Sequence, residues 1–204
     1  MILKLLFFLI LFSFVSLSNE LIIDSQMSFD EAIRGTKAPD SVLKNLSIID
    51  VEYYSFDQKL HRGQLVVHKS VTQDLIEIFE IIKQSKFPIA KVVPIVKYNW
   101  SDDLSMEDNN TSAFNYRKVA RKNTLSKHSF GIAIDINPLL NPVIYNDGTI
   151  SPRGASYDPK KPGTIVKDSL IYREFTKRGW IWGGDWNSLK DYHHFEKKMR
   201  YNDR

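Results

Sequence analysis

The chain has 204 residues, 28 Lys+Arg against 24 Asp+Glu for a formal charge of +4, and 43% apolar residues, values that fit one water-soluble globular domain. It has no cysteine, which excludes disulfides, thiol nucleophiles, iron–sulfur clusters and Cys-ligated zinc. Any metal site must therefore draw on carboxylates and the five histidines, and without a dense Lys/Arg stripe no nucleic-acid partner is expected.

Met1–Ser18 reads as an export signal, with Lys4, an apolar run from Leu5 to Val15 and small polar residues at Ser16 and Ser18. The run is shorter than the ~20 residues that span a bilayer. The expectation is cleavage before Asn19, delivery to the periplasm or cell envelope and no stable membrane insertion afterwards; a retained anchor is the competing outcome. Loss of Lys4 takes the formal charge from +4 to +3, because the segment holds no acid.

Residues 19–204 read as a single domain. Asn19–Asn45 is a lead-in arm around Pro39. Ile48–Ser55 and Gly63–His68 favour strands, and the polar stretch Phe56–Arg62 joins them as a hairpin. Ser70 with Gln73 has the spacing of a capping box, and Val71, Leu75, Ile78, Phe79 and Ile82 recur at helical intervals. That predicts a helix to about Gln84, ending before Pro88. Ile89–Tyr98, broken by Pro94, is an edge or irregular strand. Asn99–Ser112, with Asp102, Asp103, Glu107 and Asp108, is a surface loop. Ala113–Arg117, Gly131–Asn137 and Trp180–Trp182 are short strands, and Asn141–Pro162 is a long loop of the kind that often carries function. Ser169–Arg178 is a helix stopped by Gly179. The sum is an α+β domain with a small antiparallel sheet and flanking helices.

Two segments carry chemistry-bearing residues. One is Ser126-Lys127-His128-Ser129-Phe130-Gly131-Ile132-Ala133-Ile134-Asp135. The other runs from Gly179 to Trp186 and on to Asp191-Tyr192-His193-His194-Phe195-Glu196. His128, Asp135 and one of the paired histidines would make a two-His, one-carboxylate set, which leaves a zinc ion one open position. A lone histidine is more often structural, and His61 and His68 are read that way. Strand alternation puts Gly131, Ala133 and Asp135 on one face, with Gly131 relieving crowding beside the metal. Of Trp180, Trp182 and Trp186, at least two belong to the core. A remaining one would wall a cleft, with Gly183 and Gly184 permitting a sharp turn.

These segments resemble the D-alanyl-D-alanine carboxypeptidase family of zinc peptidases, which includes VanY-like carboxypeptidases, D-Ala-D-Ala dipeptidases and L-alanyl-D-glutamate endopeptidases. The likeness rests on Ser-x-His-x-x-Gly-x-Ala-x-Asp, complete from Ser126 to Asp135, and on acid-x-x-His from Asp191 to His194, within Phe114–Glu196. It implies a hedgehog/D-Ala-D-Ala-peptidase-like fold, one zinc ion on His128, Asp135 and His194, and Asp191 as general base. It further implies a peptidoglycan stem peptide as substrate, with Arg117 contacting it or the developing oxyanion and Ser126 bonding it or a ligand. Alternatively, Arg117 is a surface residue beside Lys118, Arg121 and Lys122, and Ser126 only caps a turn. Asp instead of Glu at the base position resembles the endopeptidase-like branch. The competing functions are a non-catalytic zinc-containing cell-wall-binding module and a basic protein that adsorbs envelope polymers. A monomer is expected.

Overall fold

A computed structural model describes residues 21–120 and 122–198. The expected export segment lies outside the described residues, and among these no helix is long and apolar enough to cross a membrane. The elements in chain order are β1 (Ile22–Ile23), α1 (Phe29–Ala32), α2 (Asp40–Leu43), β2 (Leu46–Tyr54), β3 (Leu60–His68), α3 (Thr72–Ser85), β4 (Lys91–Val92), α4 (Asp102–Glu107), β5 (Asn110–Thr111), β6 (Ala133–Asp135), β7 (Val143–Tyr145), β8 (Ile150–Ser151), α5 (Leu170–Thr176), β9 (Trp180–Trp182), β10 (Leu189–Asp191) and β11 (His194–Lys197). The class is α+β.

The single antiparallel sheet expected from the sequence is instead several small ones. The described strands form three three-stranded sheets, ordered β1-β3-β2, β10-β7-β8 and β6-β11-β9, and the pair β4-β5. β1 with β3 and β4 with β5 run parallel. Most of these strands have two to four residues, too short to propagate one ladder across the domain, so side-chain packing joins the sheets.

β2 and β3 form the predicted hairpin in a register from Leu46↔His68 to Tyr54↔Leu60. Ile49, Val51 and Tyr53 alternate onto its inner face, against which α3 lays Leu75, Ile78, Phe79 and Ile82. The helix stops at Lys86, whose left-handed backbone sends its N–H back to the last turn, and Pro88 follows. The start differs from the Ser70–Gln73 capping box. His68 Nδ1 accepts the Ser70 N–H at 3.1 Å, and a 3-10 turn over Lys69–Val71 precedes the helix. α5 is capped by Ser169, whose hydroxyl accepts the Tyr172 N–H. It places Phe175 on Phe195 of β11, rings stacked 4.0 Å apart.

Three expected irregular stretches contain structure. Asn99–Ser112 includes α4, capped by Ser101 Oγ on the Leu104 N–H, with Asp102 and Asp103 favourably placed in the first turn, and then β5. Asn141–Pro162 contains the β7–β8 hairpin, closed at Asp147-Gly148, and a third strand, β10, pairs with β7. Ile89–Tyr98 resolves into the two-residue β4 and a 3-10 turn over Ile95–Tyr98. Conversely, Ala113–Arg117 forms no strand. The Phe114 N–H goes to Val66 O and the Asn115 N–H to His128 O, so its bonds are divided between two segments.

Candidate metal centre

The site forms where β6 and β11 pair and the turn before β6 folds back onto them. Ser126 Oγ accepts the His128 N–H at 3.3 Å and starts a 3-10 turn, Lys127–Phe130, that carries His128. Gly131 ends the turn with φ +66°, and a Cβ there would lie 2.7 Å from His68 N and 2.8 Å from Leu46 Cδ2. Gly131 is therefore outside the strand. It lets the turn seat against β2 and β3 and does not relieve crowding at a metal. Only Ala133–Asp135 is strand, and its register opposes Asp135 directly to His194.

His128 Nε2 lies 3.1 Å from His194 Nδ1 and 3.2 Å from Asp135 Oδ2, and His194 Nδ1 lies 3.0 Å from Asp135 Oδ1. All three side chains are buried. The outer ring nitrogens fix the tautomers. His128 Nδ1 faces the Ala113 carbonyl at 2.5 Å, and His194 Nε2 faces the Glu196 carboxylate at 3.2 Å. Both partners are acceptors, so each outer nitrogen carries a hydrogen, and the inner nitrogens turn lone pairs toward each other and toward Asp135. Converging acceptors in a buried site could hold a metal ion.

The spacing fits zinc. Bonds of about 2.0–2.1 Å at tetrahedral angles set ligand atoms roughly 3.3 Å apart. Histidine ligands ordinarily donate their outer N–H to a carbonyl or carboxylate, as both do here. The same attraction for positive charge appears in the titration of these groups. Burial opposes charge on His194, but hydrogen bonds to Asp135 and Glu196 outweigh it and push its pKa up to about 10. Burial likewise opposes charge on Asp135, yet the neighbouring His128 and His193 hold it well below the usual carboxylate range.

Residues 120–197 match the family described as D-alanyl-D-alanine carboxypeptidase. That segment is similar to the D-alanyl-D-alanine carboxypeptidase family. It is less than half of the 204-residue chain, and it holds His128, Asp135, Asp191 and His194 but not Arg117. No curated protein and no solved structure matches the chain.

Within the matched segment, Asp191 ends β10 with His193 Nε2 at 3.0 Å from its Oδ1. Gly183 holds the neighbouring 3-10 turn, Gly183–Asp185, against it. Lys190 Nζ secures that turn by donating to Gly184 O and Trp186 O. Trp180 and Trp182 are core, whereas Trp186 is half-buried with its ring 5.3 Å from that of His194. Arg117 sits outside the three-residue cluster; its guanidinium joins Asp102 at 2.7 Å and donates to Lys118 O. His61 bridges Asp24 and Asp57 near the start of the described chain, a structural arrangement. Glu196 is the residue sequence reasoning missed. The signal was present, since positions two apart on a strand share a face and His194-x-Glu196 has that spacing.

Proposed function

We propose that the protein is a zinc-dependent peptidase acting on peptidoglycan stem peptides, at a D-Ala-D-Ala or L-Ala-D-Glu bond. The reading includes export through the Met1–Ser18 segment and a hedgehog/D-Ala-D-Ala-peptidase-like domain. The observation that carries it is the convergence of His128, Asp135 and His194 with their acceptor atoms 3.0–3.2 Å apart, inside a segment of a peptidase family.

His128 Nε2, Asp135 and His194 Nδ1 would hold the ion. Zinc there would supply Lewis acidity, polarising an amide carbonyl and bringing the pKa of a water molecule toward neutrality. Asp191 is the general base: its carboxylate takes a proton from water and passes it to the leaving amine nitrogen. The family segment includes this residue, and its side chain is 16% exposed, enough for a water molecule to reach it. Ser126, which shapes the His128 turn, and Arg117 are the candidates for substrate contact. Arg117 would have to exchange Asp102 for an anionic group of the peptide. Trp186 forms an aromatic wall beside His194.

The test is mass spectrometry of stem-peptide fragments incubated with the purified protein, with and without a chelator. Cleavage that stops on chelation and returns with zinc is expected. Replacement Asp191→Ala should leave zinc bound and stop turnover. Binding of wall fragments that survives chelation, with no cleavage under any condition, refutes the peptidase.

A further inference from the structure

His193 occupies a place where a packing residue would serve the core better. Its side chain is 3% exposed, and Nδ1 has no hydrogen-bond partner among the described residues. An unanswered buried polar atom costs stability, a cost that Phe or Leu would avoid. The ring is nevertheless aimed. Nε2 lies 3.0 Å from Asp191 Oδ1 and 3.9 Å from Asp135 Oδ1. The backbone that aims it is fixed on several sides. The His193 carbonyl accepts the Ile136 N–H at 3.0 Å, and the Tyr192 N–H goes to Pro142 O at 3.1 Å. Trp182 Nε1 donates to Tyr192 O at 2.9 Å, and the Tyr192 ring stacks on Tyr157 at 3.7 Å.

Asp191 has the complementary need. Its Oδ1 is buried without an aligned hydrogen bond, and the nitrogen that approaches it, His193 Nε2, comes in off-line. Catalytic hydrogen bonds are commonly loose in an unloaded site and tighten in the reacting complex. A carboxylate free to rotate would present either oxygen to water. One tied at Oδ1 presents the other.

We propose that His193 is a positioning residue whose Nε2–H holds Oδ1 of Asp191, so that the other carboxylate oxygen exchanges the proton with water and the leaving amine. The role rests on the peptidase reading above and deepens it. His193 acts through Asp191 and touches neither substrate nor metal.

The test compares full-length, zinc-loaded wild type, His193→Phe, His193→Gln, Asp191→Asn and the double variant Asp191→Asn/His193→Phe on a pentapeptide stem. His193→Phe should keep its zinc and a KM within about twofold while kcat falls about 10- to 100-fold, the scale of a misplaced catalytic group. His193→Gln, whose side-chain N–H can replace Nε2–H, should recover part of that loss. The double variant should be no slower than Asp191→Asn alone, because effects that pass through one residue do not multiply. Independently of turnover, the ring-nitrogen NMR signal that disappears in His193→Phe should move in Asp191→Asn. Wild-type kcat in His193→Phe, zinc loss in that variant, or a loss that multiplies with Asp191→Asn overturns the role. If zinc-loaded wild type cleaves no stem peptide, the peptidase reading fails and this role falls with it. An active wild type beside an unaffected His193→Phe removes only the positioning role.

Discussion

Replacing Gly183 with Ala tests whether the placement of Asp191 governs turnover. A Cβ on Gly183 would lie 2.5 Å from Asp191 O and 2.8 Å from Asp191 Cβ. Carbon atoms pack best about 3.5–4.0 Å apart, so the shortfall is roughly 0.7 Å or more. The obstruction is backbone and Cβ, with no flexible tip to swing aside, so the end of β10 or the 3-10 turn has to move. Overpacking of this kind costs about 1–3 kcal/mol, and each kcal/mol lowers Tm by about 2–4 °C in a chain of this size. A catalytic group displaced by about 1 Å can cost about 100-fold in rate, so kcat should fall roughly 10- to 100-fold. The three acceptors lie on the His128 turn, β6 and β11, so zinc content should hold. Gly179→Ala is the control. A Cβ there meets nothing within 4 Å, but φ is +78°, so it should cost about 1–2 kcal/mol of backbone strain and leave kcat unchanged. Calorimetry, elemental zinc analysis and chromatographic turnover read all three quantities. Normal kcat beside a lowered Tm in Gly183→Ala would show that the displacement never reaches the Asp191 carboxylate, and would sink the reasoning.

Glu196→Ala should weaken zinc binding about 10- to 100-fold, the usual cost of losing a partner that orients a ligand, and Glu196→Gln should weaken it less; equal affinities in a chelator competition would deny Glu196 that role. Hydrogen bonding from Arg62 holds Glu52 below the ordinary carboxylate range, with burial opposing and Lys83 assisting. A lowered folded-state pKa contributes stability that is present above the usual Glu value, about 4.5, and is lost as acid reaches the lowered one. Urea midpoints should therefore drop more between about pH 6 and about pH 3 in wild type than in Glu52→Gln, and equal drops would remove the ion pair as the cause. Phe175→Ala, which deletes a fully buried ring stacked on Phe195, should cost about 3–5 kcal/mol; a calorimetric loss below about 1 kcal/mol would show that the site collapses around the missing ring.

What the sequence revealed and what it hid divide along a physical line. Leu75, Ile78, Phe79 and Ile82 marked α3 because helical periodicity is local, and Trp180–Trp182 marked β9 for the same reason. The family resemblance of the Ser126–Asp135 and Asp191–His194 motifs named the three side chains that converge; local spacing relates His128 to Asp135, but His194 reaches them only through the pairing of β6 with β11. Ala113–Arg117 has strand propensity but no strand, because propensity does not name a partner and its amides find Val66 and His128 in different segments. The β7–β8 hairpin carried a readable turn signal at Asp147-Gly148, but few apolar residues surround it and the stretch looked like loop. Arg117 is bound to Asp102, a contact across two separate segments that spacing cannot convey. Alternation alone puts Gly131 in the strand, whereas its positive φ belongs to the turn before it.

The pairing of β6 with β11 has a consequence for how the protein matures. His194 comes to Asp135 across 59 positions and to His128 across 66. Contacts so distant form only after the intervening chain has closed, and that closure is entropically costly before packing rewards it. A molecule with β11 undocked lacks His194 beside His128 and Asp135, and so has no complete three-residue pocket. A zinc ion at this site would bind the finished fold and not the unfolded ensemble, and would stabilise the folded state by mass action. Metal occupancy in a preparation would thus count the molecules that have completed folding, independently of whether any has met a substrate.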